Sequence, residues 1–170
     1  MSDENNGASV TDDLLARATE YASAFDKGDL PMPPARGVAI VTCMDARVNP
    51  YGLFALSEGD AHVLRNAGGL VTDDVLHALA ISQRLLGTAE VMIVHHADCG
   101  MRRSDHAAFH RAIFAETGIR PTWPETTFAD PESSVRASVA RVRECPFLPR
   151  RGSVRGFVYD EGTGGLHEVR

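Results

Sequence analysis

The chain has 170 residues, 44% hydrophobic and 24% charged, an ordinary balance for a folded protein and enough length for one domain with a substantial core. Its 17 basic and 23 acidic residues give a formal net charge of −6. That argues against non-specific attachment to nucleic acid or to an anionic membrane, both of which need a basic face, and no apolar stretch approaches the roughly 20 residues of a membrane-spanning helix.

Residues 1–9 are polar and acidic and read as a disordered tail. They lack the basic-then-apolar layout of a signal peptide, so a cytoplasmic location is the expectation. From Thr11 the apolar residues Leu14, Leu15, Ala18, Tyr21, Ala22 and Phe25 recur at three- and four-residue steps, which predicts a helical arm over about 11–28. Thr11, Asp12 and Asp13 offer capping oxygens and negative charge at its start. Pro31-Met32-Pro33-Pro34 then forms a short stiff connector. Beyond it the chain reads strand (Val38–Val41), strand (Ala61–Arg65), turn (Asn66–Gly69), then a helix capped by Thr72 or Asp73 and stopped at Gly87. A third strand is predicted at Val91–His95, a helix over Arg103–Glu116, a proline-marked loop, and a helix over Ser133–Arg143. Val154–Tyr159 reads as a fourth strand, turned by Gly162-Thr163-Gly164-Gly165 towards Leu166–Val169. This alternation predicts an α/β fold, a mostly parallel central β-sheet flanked by helices, with residues 10–170 as a single domain.

Chemistry-bearing residues gather where two of these strands end. Cys43-Met44-Asp45-Ala46-Arg47 follows the first strand and His96-Ala97-Asp98-Cys99-Gly100 the third. In parallel sheets, ligands collect at the carboxyl ends of strands, so the two segments meet if those strands are neighbours. Two thiolates and one imidazole suit Zn2+ and leave a fourth tetrahedral position for water. The competing reading is two buried cysteines packing as small hydrophobes beside a hydrogen-bonded core histidine. Asp45 and Arg47 lie two and four residues past Cys43, on one side of an extended segment, where a guanidinium keeps a carboxylate ionised and oriented. The alternative is an Asp–Arg pair that only braces the loop. Three cysteines make no disulfide framework, and a reducing compartment keeps Cys43 and Cys99 free for a metal.

The segments Cys-Met-Asp-Ala-Arg (43–47), Arg-Asn-Ala-Gly-Gly (65–69) and His-His-Ala-Asp-Cys-Gly (95–100), in this order, resemble the signature of the β-class carbonic anhydrases. The resemblance is strong over Val38–Met101. It extends more weakly to Gly118-Ile119-Arg120-Pro121 and Arg155-Gly156-Phe157-Val158. It implies one Zn2+ per chain on Cys43, His96 and Cys99, with Asp45 and Arg47 as a catalytic pair. In some relatives the aspartate leaves its arginine and takes the fourth zinc position, so Asp45 also counts as a metal ligand. The resemblance further implies hydration of carbon dioxide to bicarbonate, no other cofactor, and a homodimer or higher homo-oligomer with the leading helix packed on its partner. Many members carry a second glycine after Cys-Gly. This chain has Met101, a change expected to alter the cleft wall more than the zinc shell.

Two other functions remain open on the sequence: hydrolysis of carbonyl sulfide or carbon disulfide at the same zinc, and a non-enzymatic structural-zinc or anion-binding module. Asp45 and Arg47 argue against the second, because a structural site is usually closed by a fourth protein ligand. His106 and His110, at i and i+4, read as surface or partner-contact residues, with proton relay as the sharper alternative. His95 and Cys145 read as core residues, Asp98 as a turn former, and Arg65 as the partner of a carboxylate near a dimer seam. The N–H groups of Gly68 and Gly69 either bind an anion or simply form a tight turn.

Overall fold

Four apolar runs become four neighbouring parallel strands in the computed structural model, which describes residues 9–124 and 126–170. They are β1 (Val38–Cys43), β2 (His62–Asn66), β3 (Glu90–His96) and β4 (Val154–Tyr159), with β5 (Leu166–Val169) added antiparallel to β4. The sheet order is β2-β1-β3-β4-β5. Strand β1 therefore pairs with β2 on one side and β3 on the other, in registers that include Ala39 with His62 and Thr42 with Val94. The strand adjacency that the sequence left open is present. The chain leaves β1 towards β2 and returns to β3 on β1's other edge, a switch point that opens a crevice at the strands' carboxyl ends. Because β1 and β3 run on to Cys43 and His96, both donors are anchored by the sheet itself rather than by loops.

Strands buried on both faces read as continuous apolar runs, and the two faces have separate cores. Ala39, Val41, Val91, Ile93, Val154 and Val158 pack with Val75 and Leu79 of α3 (Asp73–Arg84) and with Val135, Val139 and Val142 of α6 (Pro131–Glu144). Ile40, Val94 and Phe157 face the other way, against Phe54, Leu56 and Leu166. Helix α6 approaches β4 so closely that a Cβ on Gly156 would overlap Val135 Cγ1 and come within 2.9 Å of Val139 Cγ2. Gly156→Ala should therefore cost about 1–3 kcal/mol by overpacking, read as a lower urea midpoint with an unchanged slope.

Helix boundaries follow capping chemistry. Thr72 Oγ1 accepts from the Val75 N–H at the start of α3. Asp130 Oδ2 accepts from the Ser133 N–H at 2.7 Å, so α6 begins at Pro131, ahead of the expected Ser133, with proline in its favoured first-turn place. The helix predicted over Arg103–Glu116 is α5 (His106–Thr117), which starts three residues later, and a separate short helix, α4 (Gly100–Arg103), precedes it. The break lies at Ser104 and Asp105, both extended, and Asp105 Oδ1 restarts the helix by accepting from the Ala108 N–H at 2.9 Å. Gly118 ends α5 in the left-handed region. A short helix, α2 (Pro50–Leu53), capped by Asn49, was not anticipated.

Residues 9–30 belong to a unit of their own. Its helix α1 spans Val10–Ser23. Ser9, assigned to the tail by sequence, is its N-cap and shares a reciprocal capping box with Asp12; the rest of that tail, residues 1–8, lies outside the described residues. Among the described residues no helix is long and apolar enough to cross a membrane.

Candidate metal centre

The ends of β1 and β3 and the loop after β3 bring three soft donors together. The ligand atoms of Cys43, His96 and Cys99 all lie within 4.8 Å of one another, and all three residues are buried. Their sulfurs are 3.9 Å apart; two thiolates at about 2.3 Å from a tetrahedral zinc would be about 3.8 Å apart. His96 Nδ1 donates to Glu161 Oε1, which fixes the tautomer and leaves Nε2 with a lone pair. That Nε2 is buried without a hydrogen-bond partner. A buried, unpaired acceptor is costly, and here it faces two thiols, so the donor set fits a divalent metal such as zinc.

Backbone packing holds the cage. Gly69 sits at φ +68, and a Cβ there would lie 2.9 Å from both Cys43 N and Thr42 C, so only glycine allows this close approach to the end of β1. Within this chain Arg65 is tied to peptide groups. Its Nε donates to Cys43 O at 3.0 Å, and its Nη2 to Asp45 O at 2.7 Å and Val48 O at 2.9 Å. One side chain thus gathers the whole loop after β1.

Asp45 and Arg47 form a bidentate pair: Arg47 Nε donates to Asp45 Oδ1 at 3.0 Å and Nη2 to Oδ2 at 2.8 Å, with the Arg47 N–H on Oδ1 at 2.9 Å. Those bonds hold the Asp45 carboxyl far below the usual carboxylate range. Arg47 is itself anchored on Asp98, with Nη1 to Oδ2 at 3.0 Å and Nη2 to the backbone O at 2.9 Å. Asp98, read as a turn former, is therefore also the far anchor of this clamp. Asp45 lies outside the three-donor cluster, but its Oδ2 is 4.0 Å from His96 Nε2, beside the space where the donors converge.

The thiols differ in acidity. Burial raises the Cys43 thiol, but the His96 ring when protonated, together with the N–H groups of Asp45 and Gly68, outweighs it and brings it down to about 7. Burial pushes Cys99 up to about 11. Metal binding needs both as thiolates, so at about pH 8 it should release at least the Cys99 proton. Below about pH 7 it must displace the Cys43 proton as well, so affinity should fall more steeply as pH falls. Zinc titration calorimetry in buffers of different ionisation enthalpy reads this proton count directly.

A carbonic anhydrase family model matches residues 38–126. Beta-carbonic anhydrase 1 of Mycobacterium tuberculosis is 54% identical over 160 residues, covering 94% of this chain and 98% of that protein. The chain belongs to the β-carbonic anhydrase family. The crystal structure of a carbonic anhydrase from Streptococcus mutans superposes with a TM-score of 0.89 at 37% identity, covering 96% of this chain and 99% of that one. A carbon disulfide hydrolase of Saccharolobus solfataricus is also similar, 38% identical over 186 residues and covering 94% of this chain and 87% of that protein.

In this β-carbonic anhydrase the remaining singled-out residues fall as follows. His95 is buried, hydrogen-bonds through Nε2 to Gly69 O at 3.0 Å, and is pushed down to about 4 by burial. It is a core residue on the face opposite His96. Cys145 is buried and free. Glu161 was missed by sequence reasoning. It follows β4, the strand beside β3, and besides binding His96 it accepts from the Asp98 N–H at 3.1 Å. A carboxylate just past the strand neighbouring His96's own was the available signal. Glu161→Gln should lower metal affinity about 10–100-fold by loosening the His96 tautomer and orientation, measured by competition with a chromogenic chelator.

Proposed function

We propose that this chain catalyses the reversible hydration of carbon dioxide to bicarbonate and a proton, with one Zn2+ per chain held by Cys43, His96 and Cys99. The observation that carries this reading is a three-donor cage with an arginine-clamped carboxylate 4.0 Å from its nitrogen. Zinc, when bound, supplies a Lewis acid that lowers the pKa of a coordinated water to about 7, the value already known for carbonic anhydrase. Asp45 then acts as a fixed hydrogen-bond acceptor that orients the attacking water towards the carbon. Arg47 holds Asp45 ionised and aimed, and Asp98 holds Arg47. Glu161 keeps His96 in the tautomer that presents Nε2. Ligation by Asp45 itself belongs to a second state, because its carboxylate must first leave Arg47.

The working form we propose is a homodimer or higher homo-oligomer of a single 10–170 domain. Leu14, Leu15 and Tyr21 of α1 are each more than half exposed, an apolar face that a second copy would cover. A cytoplasmic location suits three free cysteines, two of them in the cage. The deciding experiment is stopped-flow CO2 hydration over about pH 6 to 9 with zinc content measured on the same sample. Activity that tracks zinc supports the reading, and a zinc-loaded sample without hydration refutes it. Likeness to a carbon disulfide hydrolase favours one second reading, hydrolysis of carbon disulfide or carbonyl sulfide, which the same sample tests by turnover of the three gases.

A further inference from the structure

We propose that His106, backed by His110, relays the proton of the hydration reaction from the cleft to bulk solvent; this rests on the carbonic anhydrase reading above. A cavity of about 640 Å³ is walled by Met44 and Met101, one and two positions from the donors Cys43 and Cys99, with Ala67, His106, Phe109 and Trp123. Met101 closes on Gly68, since its Cγ would be 3.4 Å from a Cβ there. The cavity thus opens beside the loops that carry the metal donors.

Most of that wall is apolar, which suits a non-polar gas but gives a proton few places to go. Among its polar residues Ser104, Asp105, Thr126, Thr127 and His106, His106 is the imidazole. It also lines a second, more open cavity of about 750 Å³, together with His110, Arg111, Phe114, Arg120 and Pro121. One imidazole thus borders both the chamber beside the metal and the outer basin. One helical turn along α5, the His110 ring lies 4.1 Å from that of His106, centroid to centroid, and its Nε2 is buried without a hydrogen-bond partner.

The charged groups around the pair are Asp105, Arg111 and Arg120. Asp105 caps α5 through Ala108 N and lies 3.9 Å from Arg111. Arg120 stacks on Phe114 with its guanidinium carbon 4.4 Å from the ring centroid. The two arginines line the outer cavity only. Asp45, nearer the metal, has both oxygens occupied by Arg47, so it orients water rather than carrying the proton away.

The balance is simple. One CO2 and one water yield one bicarbonate and one proton. The proton passes through cavity water to a His106 nitrogen, a proton on the far side of the pair passes to buffer, and both rings return to neutral. Imidazole suits this because it gains and loses a proton near neutral pH.

Proton export follows bicarbonate departure, so it limits kcat but not kcat/KM. In dilute non-imidazole buffer, zinc-loaded His106→Ala should lose about tenfold in kcat with kcat/KM unchanged, and added imidazole should restore kcat. His110→Ala should show a smaller fall of the same kind. Oxygen-18 exchange at equilibrium separates the steps: CO2–bicarbonate interconversion stays at the wild-type rate while release of labelled water slows. His106→Gln, of similar bulk, repeats the measurement if the alanine variant folds poorly. An unchanged kcat in dilute buffer overturns the relay, as does a joint fall of kcat and kcat/KM that imidazole does not reverse. Absence of hydration in the wild-type zinc protein would instead overturn the reading on which the relay rests.

Discussion

Cys43→Ser should reduce zinc from about one per chain to a trace and bring hydration below about 1% of the wild-type rate, with the far-ultraviolet circular dichroism unchanged. The serine hydroxyl stays protonated where the Cys43 thiol, brought down to about 7, is readily lost to a metal. Removing one of three donors leaves His96 Nε2 and Cys99 Sγ, too few to hold the ion against competing water. The fold should survive because the cores on both faces of the sheet are built from valine, isoleucine and leucine rather than from the cage. Stoichiometric zinc in the purified variant, by atomic absorption, would mean that the donor set is wrong.

Asp45→Asn should lower kcat about 10²–10³-fold while zinc stays near one per chain. Asparagine keeps the shape, but its amide presents a donor where Arg47 needs an acceptor, so one arm of the bidentate pair at 2.8 and 3.0 Å is lost. The side chain then no longer offers a fixed anionic acceptor to water beside the cage. Retained zinc with lost turnover separates orientation from ligation. If zinc leaves with the carboxylate, Asp45 is a permanent fourth ligand and the centre is structural. Unchanged turnover would remove Asp45 from the reaction altogether. Since Arg47 keeps the wild-type carboxylate ionised far below neutrality, loss of activity towards about pH 6 should come from water or metal ligands and not from Asp45.

Much of this arrangement was legible because parallel strands buried on both faces must be uninterrupted apolar runs. Val38–Val41 and Val91–His95 announced β1 and β3, and the residues just beyond them had to lie at the sheet's carboxyl edge. What sequence could not supply was contact between side chains far apart in the chain. Glu161 reaches His96 across 65 positions, and only its place just past β4 marks it apart from other acidic residues. Arg65 is a second case: three of its N–H donors, on Nε and Nη2, go to carbonyls up to 22 positions away, which no local pattern marks. The split between α4 and α5 was hidden by helix-forming residues on either side. It depended on Asp105 preferring to cap a new helix over continuing the old one.

The carbonyl-gathering role of Arg65 has a thermodynamic consequence. The loop after β1 is ordered by protein–protein hydrogen bonds, so little of the conformational entropy of the cage remains to be lost when a cation arrives. Occupancy then adds stability by mass action alone, about 2.7 kcal/mol at a free concentration one hundred times the dissociation constant. Such a scaffold should keep its far-ultraviolet circular dichroism when a chelator removes the ion, unlike small zinc-nucleated folds that exist only while loaded.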